Sequence, residues 1–211
     1  AADIFLLGAN IAHAGIDQRK VHVVARDAAL QVKTHALKDI NGNQIKPVAI
    51  HHPILLGLDF QGEVEGDTDE VAMKSKMSKS KPGSGITIHD SPEHIRSTIN
   101  GAYAPEGQVE NNPILNWVKH LVFFNQGVYL AHLQGVQAEL TVSRKPEHGG
   151  DVTYSSYQDL ERDYGEKKLH PQDLKAAVAE WLIEKLAPAR QYFEDPKRKA
   201  ALEEIEKLTS R

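Results

Sequence analysis

The sequence contains no cysteine, and this absence excludes several kinds of site at once. Without thiols, the 211-residue chain can form neither a disulfide framework nor a thiolate metal centre, which agrees with a reducing compartment. Its eleven histidines show no ligand spacing of the HExxH type, so we predict no protein-bound metal. No apolar stretch approaches the roughly 20 residues of a membrane span, and the first residues lack a signal-peptide pattern. The sequence therefore predicts a cytoplasmic protein without a membrane partner.

A strong net charge is also absent. The balance of 25 basic and 29 acidic side chains gives a formal charge of −4, so any nucleic acid would have to be bound by local patches. The hydrophobic content of 40% and the charged content of 26% are ordinary for a globular protein. The length is sufficient for one large or two small domains with a sizeable core.

Against this near-neutral background, the segment 74–85 places four lysines within eight residues and follows them with glycines and a proline. Serine, glycine and lysine bury little apolar surface, so the segment is predicted to form a loop. One interpretation is a solvated basic loop or a localisation patch, and the charge alone favours it. The other is a cationic loop that stabilises charge developing on a polyphosphate leaving group.

The order of the residues favours the polyphosphate interpretation. Lys76-Met77-Ser78-Lys79-Ser80 resembles, letter for letter, the KMSKS sequence of the class I aminoacyl-tRNA synthetases. The resemblance implies a Rossmann-type fold and ATP with Mg²⁺ as the substrate complex. It further implies that Lys76 and Lys79 stabilise the ATP phosphates, that Ser78 and Ser80 hold the loop closed, and that Met77 belongs to the ATP-binding set. The catalytic residues expected in this segment are Lys76, Lys79 and Ser80.

The start of the chain contains two further candidates for ligand contacts. Asp3 adjoins an apolar run, where a carboxylate lies either on a helix surface or beside a specific donor. Farther on, Gly15 is predicted to make a turn before a helix whose apolar positions are Val21, Val24 and Ala25. Residues 15–18 would then lie at the helix N-terminus, where free amides can meet a ligand; a plain capped helix is the alternative.

Together, these segments narrow the resemblance. Residues 2–5 (Ala-Asp-Ile-Phe) and 15–22 (Gly-Ile-Asp-Gln-Arg-Lys-Val-His), followed by the KMSKS sequence, are similar to the tyrosyl-tRNA synthetases of the archaeal and eukaryotic type. The resemblance implies these contacts: tyrosine phenol with Asp3, tyrosine amino group with Gln18, ATP ribose with Gly15 and Asp17, and the first acceptor-stem base pair with Arg19 and Lys20. A buried carboxylate that pairs with the phenol would also explain the rejection of phenylalanine.

The connection to the lysine segment departs from the family. Residues 48–52 form a short apolar run that predicts a buried parallel strand, and residues 53–59 follow as a loop similar to one in the family. Residues 60–73 then form a longer insertion than the family implies, and they contain five acidic side chains. Such a charged run predicts a disordered, solvated segment.

The second half of the sequence is predicted to be mostly helical. Asp90-Ser91-Pro92-Glu93 indicates a helix start, with Ser91 as the cap and an end near Tyr103. A helix is also predicted over 113–124, with Ile114, Leu115, Val118, Leu121 and Val122 on one apolar face and with Trp117, Phe123 and Phe124 in the core.

Strand and helix patterns then alternate along the rest of the chain. Residues 138–143 and 152–155 alternate weakly around Gly149-Gly150, which predicts a small hairpin. Ser156 opens another helix, and residues 197–211 form a last one. Between these two, a longer helix begins near Leu169, with apolar positions at Leu174, Val178, Trp181, Leu182 and Leu186.

Two segments of this half resemble the anticodon-reading parts of the same family: residues 148–151 (His-Gly-Gly-Asp) and residues 169–175 (Leu-His-Pro-Gln-Asp-Leu-Lys). The resemblance implies that His148 and His170 stack on the two faces of the first anticodon base, guanine, while Asp173 accepts hydrogen bonds from its edge. Planar side chains suit this task, because single-stranded bases are gripped by stacking and read on their exposed edges. The family has an aromatic such as phenylalanine where His148 stands. The alternatives are an exposed loop histidine for His148 and a simple helix start for His170.

We therefore expect an α/β protein in which residues 1–90 form the second half of a Rossmann-type catalytic domain and residues 91–211 form a helical anticodon-binding domain. The resemblance implies a tyrosine–tRNA ligase that uses tyrosine, ATP and tRNA(Tyr). The HIGH-type motif of the family is not in the sequence, so we expect an amino-terminal catalytic half upstream, an inactive isolated chain and a homodimeric complete enzyme. One alternative is the tryptophanyl enzyme, which Asp3 and the segment from His170 to Asp173 disfavour. The other is a non-catalytic tRNA-binding module or pseudo-synthetase.

Overall fold

The computed structural model describes residues 1–62, 75–77, 83–124 and 138–209. In these ranges the chain forms two compact units. The first comprises residues 1–54 and 75–76, and the second comprises residues 55–62 and the described residues from 77 onward. The boundary at residue 90, between the catalytic and the anticodon-binding domain, stays a prediction. Most of the acidic segment and all of Ser78, Lys79 and Ser80 lie outside the described residues, so their predicted conformations stay predictions.

The first unit contains two short parallel strands and two helices. Its elements are α1 (Ala2–Leu6), β1 (Ile11–Gly15), a 3-10 turn (Ile16–Gln18), α2 (Arg19–Ala28) and β2 (Val48–His52). β1 and β2 pair in parallel, with Gly15 opposite His52. The predicted parallel strand is therefore confirmed, but its predicted burial is wrong. Successive side chains of a strand point to opposite faces, and Val48 and Ile50 share the open face of β2, where about half of each residue is exposed.

The predicted apolar face of α2 is wrong in two of its three positions. The helix buries His22 and Ala25, whereas Val21 is 39% and Val24 60% exposed. The reason is a long-range contact: Nδ1 of His22 lies 3.0 Å from Nε2 of His51 on β2, so the helix turns this histidine inward. The two valines then fall on the outward face. The buried apolar core of this unit is correspondingly small, comprising Phe5, Ala25, Ala29 and Leu37.

The second unit is mostly helical and carries one antiparallel hairpin. Its elements are α3 (Pro92–Gly101), α4 (Pro113–Trp117), a π-helical turn (Val118–Val122), β3 (Leu140–Val142), a 3-10 turn (Pro146–His148), β4 (Val152–Tyr154), α5 (Tyr157–Gly165), α6 (Pro171–Tyr192) and α7 (Pro196–Thr209). The predicted hairpin is confirmed, with Leu140 opposite Tyr154. The predicted cap at Ser91 and the predicted helix start at Ser156 are confirmed as well, because the two serines accept hydrogen bonds from the amides of His94 and Asp159.

The core of the second unit largely follows the predicted helical periodicity, although Trp181 and Leu186 of α6 are only partly buried. Leu174, Val178 and Leu182 of α6 are buried, as predicted. Trp117 and Phe123 are also buried, but Phe124 is 61% exposed, so its predicted core position is wrong. The π-helical turn ends at Val122 and the backbone of Phe123 leaves the helical region, which turns Phe124 away from the buried face.

Two buried polar side chains tie α4 and α5 together. Oδ1 of Asn112 accepts hydrogen bonds from the amides of Ile114 and Leu115, at 3.0 and 3.2 Å, and so caps α4. Its Nδ2 donates to the hydroxyl of Tyr164 on α5 and to the carbonyl of Gln108. The Tyr164 hydroxyl in turn donates to backbone carbonyls at 104 and 105. Both side chains are almost fully buried, so this network replaces water that the groups would otherwise bind.

Lys175 has a structural role in this unit although it belongs to the predicted anticodon segment. Its residue is 7% exposed, and Nζ donates to the carbonyl of Asn100 in the last turn of α3, at 3.0 Å. Burial lowers the pKa of this ammonium. A cation at the C-terminus of a helix interacts favourably with its dipole, so Lys175 joins α6 to the end of α3.

Candidate functional site

The first cluster of predicted site residues lies where β1 ends. Gly15 is the last residue of the strand, and Ile16–Gln18 form the 3-10 turn that leads into α2. The turn predicted at Gly15 therefore begins one residue later. β2 ends at the same edge, because Gly15 pairs with His52. In open parallel sheets the carboxyl ends of strands are where ligands bind, so the turn is placed for a ligand contact.

At this edge the structure brings together three predicted ligand contacts. Nζ of Lys76 lies 3.5 Å from Oδ2 of Asp17, and Nε2 of Gln18 lies 3.5 Å from the same oxygen. The Asp17 side chain is 17% exposed and that of Lys76 is 43% exposed. A pair with this much solvent contributes little to stability. Its importance is positional, because the first lysine of the KMSKS sequence meets the carboxylate that follows β1.

Gly15 leaves room for the Asp17 side chain in its present orientation. A Cβ atom at this position would lie 2.6 Å from Oδ1 of Asp17, which is closer than any real contact. The backbone angles of Gly15, φ −62° and ψ 156°, are ordinary for any residue. The glycine thus allows the Asp17 carboxylate to fold back over the end of the strand.

The remaining predicted residues of the first unit are accessible but dispersed. Asp3 lies in the first turn of α1 and is exposed, which matches the surface position expected without a ligand. No hydrogen bond between Asp3 and Gln18 occurs among the described residues. Arg19 and Lys20 are exposed in the first turn of α2.

Met77 and Ser84, which lie on either side of the segment 78–82, are hydrogen-bonded to one short stretch of the second unit. The Met77 amide donates to the Leu55 carbonyl at 3.0 Å, and the Leu58 amide donates to the Ser84 carbonyl at 2.8 Å. Between them, the amide of Leu56 donates to Oδ1 of Asn116, and its carbonyl accepts from Nε1 of Trp117. The stretch 55–58 is therefore anchored on α4. Met77 and Ser84 are therefore both held close to α4 through this stretch.

Two histidine pairs flank the end of the sheet. His13 of β1 and His52 of β2 lie with ring nitrogens 3.0 Å apart, and His22 and His51 form the second pair described above. Burial, followed by the neighbouring His22, lowers the pKa of His51 below its ordinary value of 6.5. A single proton between the two facing ring nitrogens can form a hydrogen bond in each pair, whereas protons on both facing nitrogens would repel each other.

This arrangement predicts that acid destabilises the protein. Because the pKa of His51 is lowered in the folded state, the unfolded chain takes up the proton first. The contribution of neutral His51 is therefore complete above pH 6.5 and is lost as the pH falls through the lowered value. We expect the free energy of unfolding in urea to fall between about pH 7.5 and about pH 5.5, on either side of the usual histidine range.

The comparison variants are His51→Asn and His35→Asn. His35 is exposed and has a positive φ that asparagine tolerates, so its replacement should leave the pH dependence unchanged. His51→Asn should reduce that dependence. An equal pH dependence in wild type and His51→Asn would contradict the assignment.

The second cluster of predicted residues lies in the helical unit. His148 ends a 3-10 turn, is exposed, and lies with Nε2 3.6 Å from Oε1 of Glu147. Gly149 and Gly150 follow with φ of 92° and 70°, a left-handed conformation that glycine adopts without strain. The amide of Gly150 donates to the carbonyl of Lys145, which closes the loop.

His170 and Asp173 share the first turn of α6. Nδ1 of His170 accepts a hydrogen bond from the Gln172 amide at 3.2 Å, so His170 is the cap of the helix. The exposed ring is held by its own backbone, and Asp173 lies three residues on, half-buried. The helix-start alternative for His170 thus describes its local structure. It does not conflict with stacking, because capping uses one ring nitrogen and leaves the ring exposed.

The chain that carries these sites is similar to a known protein family over most of its length. Residues 1–187 match the family described as tRNA synthetases class I (W and Y). The chain belongs to this family of class I tRNA synthetases. The predicted family resemblance is confirmed.

Within this synthetase family, two similar proteins of the tyrosine type match nearly the whole chain. A tyrosine–tRNA ligase from Thermococcus sibiricus is 47% identical over 197 residues, which are 92% of this chain and 50% of that protein. The crystal structure of a tyrosyl-tRNA synthetase complexed with L-tyrosine from Pyrococcus horikoshii is 44% identical with a TM-score of 0.82, covering 95% of this chain and 52% of that one. The chain thus spans about half the length of the relatives it matches.

A tryptophanyl-tRNA synthetase from Giardia lamblia is more distant. It is 18% identical, with a TM-score of 0.50, and it covers 89% of this chain and 37% of that one. This likeness concerns the fold alone. The tryptophan alternative is therefore less supported than the tyrosine type.

Sequence reasoning about this synthetase chain missed the histidine pairs and Arg144. Nε of Arg144 donates to the Gly150 carbonyl, and Nη1 donates to the Lys168 carbonyl. Such contacts with backbone oxygens leave no sequence pattern. The histidine doublet at 51–52 was visible in a strand, where alternation sends the two rings to opposite faces.

No group of three or more histidine, aspartate or glutamate side chains among the described residues is arranged to hold a metal ion. No helix in the same part of the chain is long and apolar enough to cross a membrane.

Proposed function

We propose that this chain is the lysine-loop and anticodon-binding part of a tyrosine–tRNA ligase. The observation that carries the proposal is the position of Lys76, 3.5 Å from the Asp17 carboxylate at the carboxyl end of β1. This places the KMSKS lysine beside the turn that, in the tyrosine type, is expected to meet ATP. The identity of 47% with a tyrosine–tRNA ligase supports the same function.

The proposed reaction has two steps. In the first, the carboxylate of tyrosine attacks the α-phosphorus of ATP, and the bond to pyrophosphate breaks, giving tyrosyl-adenylate. In the second, a hydroxyl at the 3′ end of tRNA(Tyr) attacks the tyrosyl carbonyl and releases AMP. Magnesium enters with ATP as part of the substrate complex.

Each group of residues has a part in these steps. Lys76 and Lys79 stabilise the negative charge that builds on the departing pyrophosphate, since preorganised cations act most strongly on charge that develops in the transition state. Gly15 and Asp17 meet the ATP ribose, where a carboxylate can accept two hydroxyl donors. The other proposed contacts are Asp3 with the tyrosine phenol, Gln18 with the tyrosine amino group, Arg19 and Lys20 with the acceptor stem, and Met77, Ser78 and Ser80 within the lysine loop.

The surface of the first unit supports an incomplete catalytic domain. Parallel sheets normally have several strands and are covered on both faces, whereas β1 and β2 are the two strands described here. The exposed large apolar side chains of this unit include Leu7, Ile11, Val24, Val48 and Ile50. We propose that an amino-terminal half continues this sheet into a Rossmann-type domain, which carries the remaining ATP and tyrosine contacts. The complete enzyme is proposed to be a homodimer.

The activity of the chain alone tests this division. We expect no tyrosine-dependent exchange of pyrophosphate into ATP from the 211-residue chain, because the proposed division assigns part of each substrate pocket to the amino-terminal half. The complete protein, assayed in parallel, should catalyse the exchange. Appreciable exchange by the chain alone would refute the proposed division.

The second unit is proposed to read the first anticodon base. His170 is exposed and fixed by its capping hydrogen bond, so its ring offers a preformed stacking surface. His148 supplies the second surface from its exposed loop. The Asp173 carboxylate accepts hydrogen bonds from the two N–H donors on the Watson–Crick edge of guanine, whereas each other base presents at least one acceptor at the corresponding positions.

Replacement of Asp173 should separate selectivity from affinity. In binding titrations with four RNA hairpins that differ only at the first anticodon base, we expect wild type to prefer guanine. Asp173→Ala should abolish most of this preference. His170→Ala should instead weaken all four hairpins by roughly 1–3 kcal/mol, the usual contribution of one stacked base. A wild-type preference retained in Asp173→Ala would exclude the proposed role of the carboxylate.

A further inference from the structure

Arg144 connects the two segments that carry the proposed base contacts. Its Nε donates to the Gly150 carbonyl at 2.9 Å, and its Nη1 donates to the Lys168 carbonyl at 3.2 Å. Its backbone amide donates to Oδ1 of Asp151, also at 2.9 Å. One planar guanidinium thus bonds to the loop after His148 and to the backbone two residues before His170.

Each end of this connection is itself fixed. The amides of Lys168 and Leu169 both donate to the Asp163 carbonyl, so the approach to α6 is held on the end of α5. On the other side, the loop 145–150 is closed by internal hydrogen bonds, in which the amides of His148 and Gly150 both donate to the Lys145 carbonyl. Hydrogen bonds from a charged donor are about twice as strong as neutral ones, and the rigid fork of arginine sets the angle between its partners.

We propose that Arg144 is a positioning residue that sets the separation of the His148 loop from the His170–Asp173 turn and thereby the guanine selectivity of the site. This inference rests on the proposed anticodon-reading function. Arg144 makes no base contact in this role. It acts by holding one stacking surface in register with the carboxylate that reads the base edge, since discrimination requires both to meet the same base.

A purely structural role would have a different consequence. If Arg144 only stabilised the fold, its loss would lower the fraction of competent protein, and the apparent affinity for every hairpin would fall by the same factor. The ratio between guanine and the other bases would stay constant. The selectivity ratio therefore distinguishes positioning from stability, even in a partly unfolded variant.

The experiment compares the full chain with three variants in the four-hairpin titration. Arg144→Gln removes the guanidinium, and Arg144→Lys keeps the charge but supplies an ammonium that lacks the planar fork. Lys145→Gln is the matched control, because it removes the neighbouring exposed charge of the same loop without crossing to Lys168. Thermal unfolding by circular dichroism sets a titration temperature below the melting transition of each variant.

We expect the guanine preference to fall by about tenfold in Arg144→Gln, the effect of about one charge-assisted hydrogen bond on an equilibrium constant. Arg144→Lys should lose most of the preference too, while Lys145→Gln should keep it. A wild-type ratio in both Arg144 variants would overturn this inference and leave the proposed function standing. A wild-type chain that does not prefer guanine would overturn the anticodon assignment itself, and the inference with it.

Discussion

Replacing Lys79 with alanine in the complete enzyme is expected to slow tyrosyl-adenylate formation about a hundredfold, because one electrostatic contact to transition-state charge typically contributes roughly 3 kcal/mol. The ammonium stabilises negative charge that appears only as pyrophosphate leaves, so the affinity for tyrosine should change little. The structure gives this expectation a setting. Lys76 of the same pentapeptide reaches the Asp17 carboxylate, and Met77 is fixed on the Leu55 carbonyl, so the sequence that contains Lys79 starts at the proposed ATP site.

The measurement is the pre-steady-state rate of adenylate formation at saturating tyrosine and ATP, together with the tyrosine dissociation constant. Lys33→Ala is the control, since it removes an exposed lysine from a loop outside the site. It should leave both quantities unchanged. A wild-type activation rate in Lys79→Ala would exclude a catalytic role for this lysine.

The largest loss of stability is expected from Asn112→Ala. The substitution removes the cap of α4, which typically contributes about 1 kcal/mol. It also removes the Nδ2 donor from which the Gln108 carbonyl and the buried Tyr164 hydroxyl accept hydrogen bonds, at a cost of about 1–3 kcal/mol. We therefore expect the free energy of unfolding to fall by roughly 3 kcal/mol in total.

Urea unfolding followed by circular dichroism measures this loss, and Ser156→Ala is the comparison. Ser156 caps α5 through a single 3.4 Å hydrogen bond to the Asp159 amide and is only half-buried, so its removal should cost about 1 kcal/mol or less. If the two variants were equally destabilised, the buried network around Asn112 would not have the role assigned to it.

The sequence was sufficient for features that depend on neighbouring residues. The capped helix starts at Ser91 and Ser156, the hairpin around Gly149-Gly150 and the core positions of α6 all follow from local preferences and periodicity. The KMSKS sequence and the turn after β1 could also be predicted, because each is indicated by a specific combination of neighbouring residues.

Features that depend on distant partners could not be predicted in this way. Val21 and Val24 are exposed because His22 pairs with His51, a contact between residues 29 positions apart. Phe124 leaves the core because the π-helical turn ends at Val122 and the backbone of Phe123 is no longer helical. Arg144 donates to the carbonyl of Lys168, 24 positions away, and a contact with a backbone oxygen does not depend on which residue carries it.

Amino-acid-dependent exchange of pyrophosphate into ATP by the complete protein tests the central claim most directly. Tyrosine, phenylalanine and tryptophan are compared at equal concentration, with the isolated chain as the background. We expect exchange with tyrosine and almost none with the other two amino acids, because a ligand without the phenol would leave Asp3 unpaired. Exchange that depends on tryptophan would assign the chain to the other branch of its family, and no exchange with any amino acid would contradict an enzymatic function.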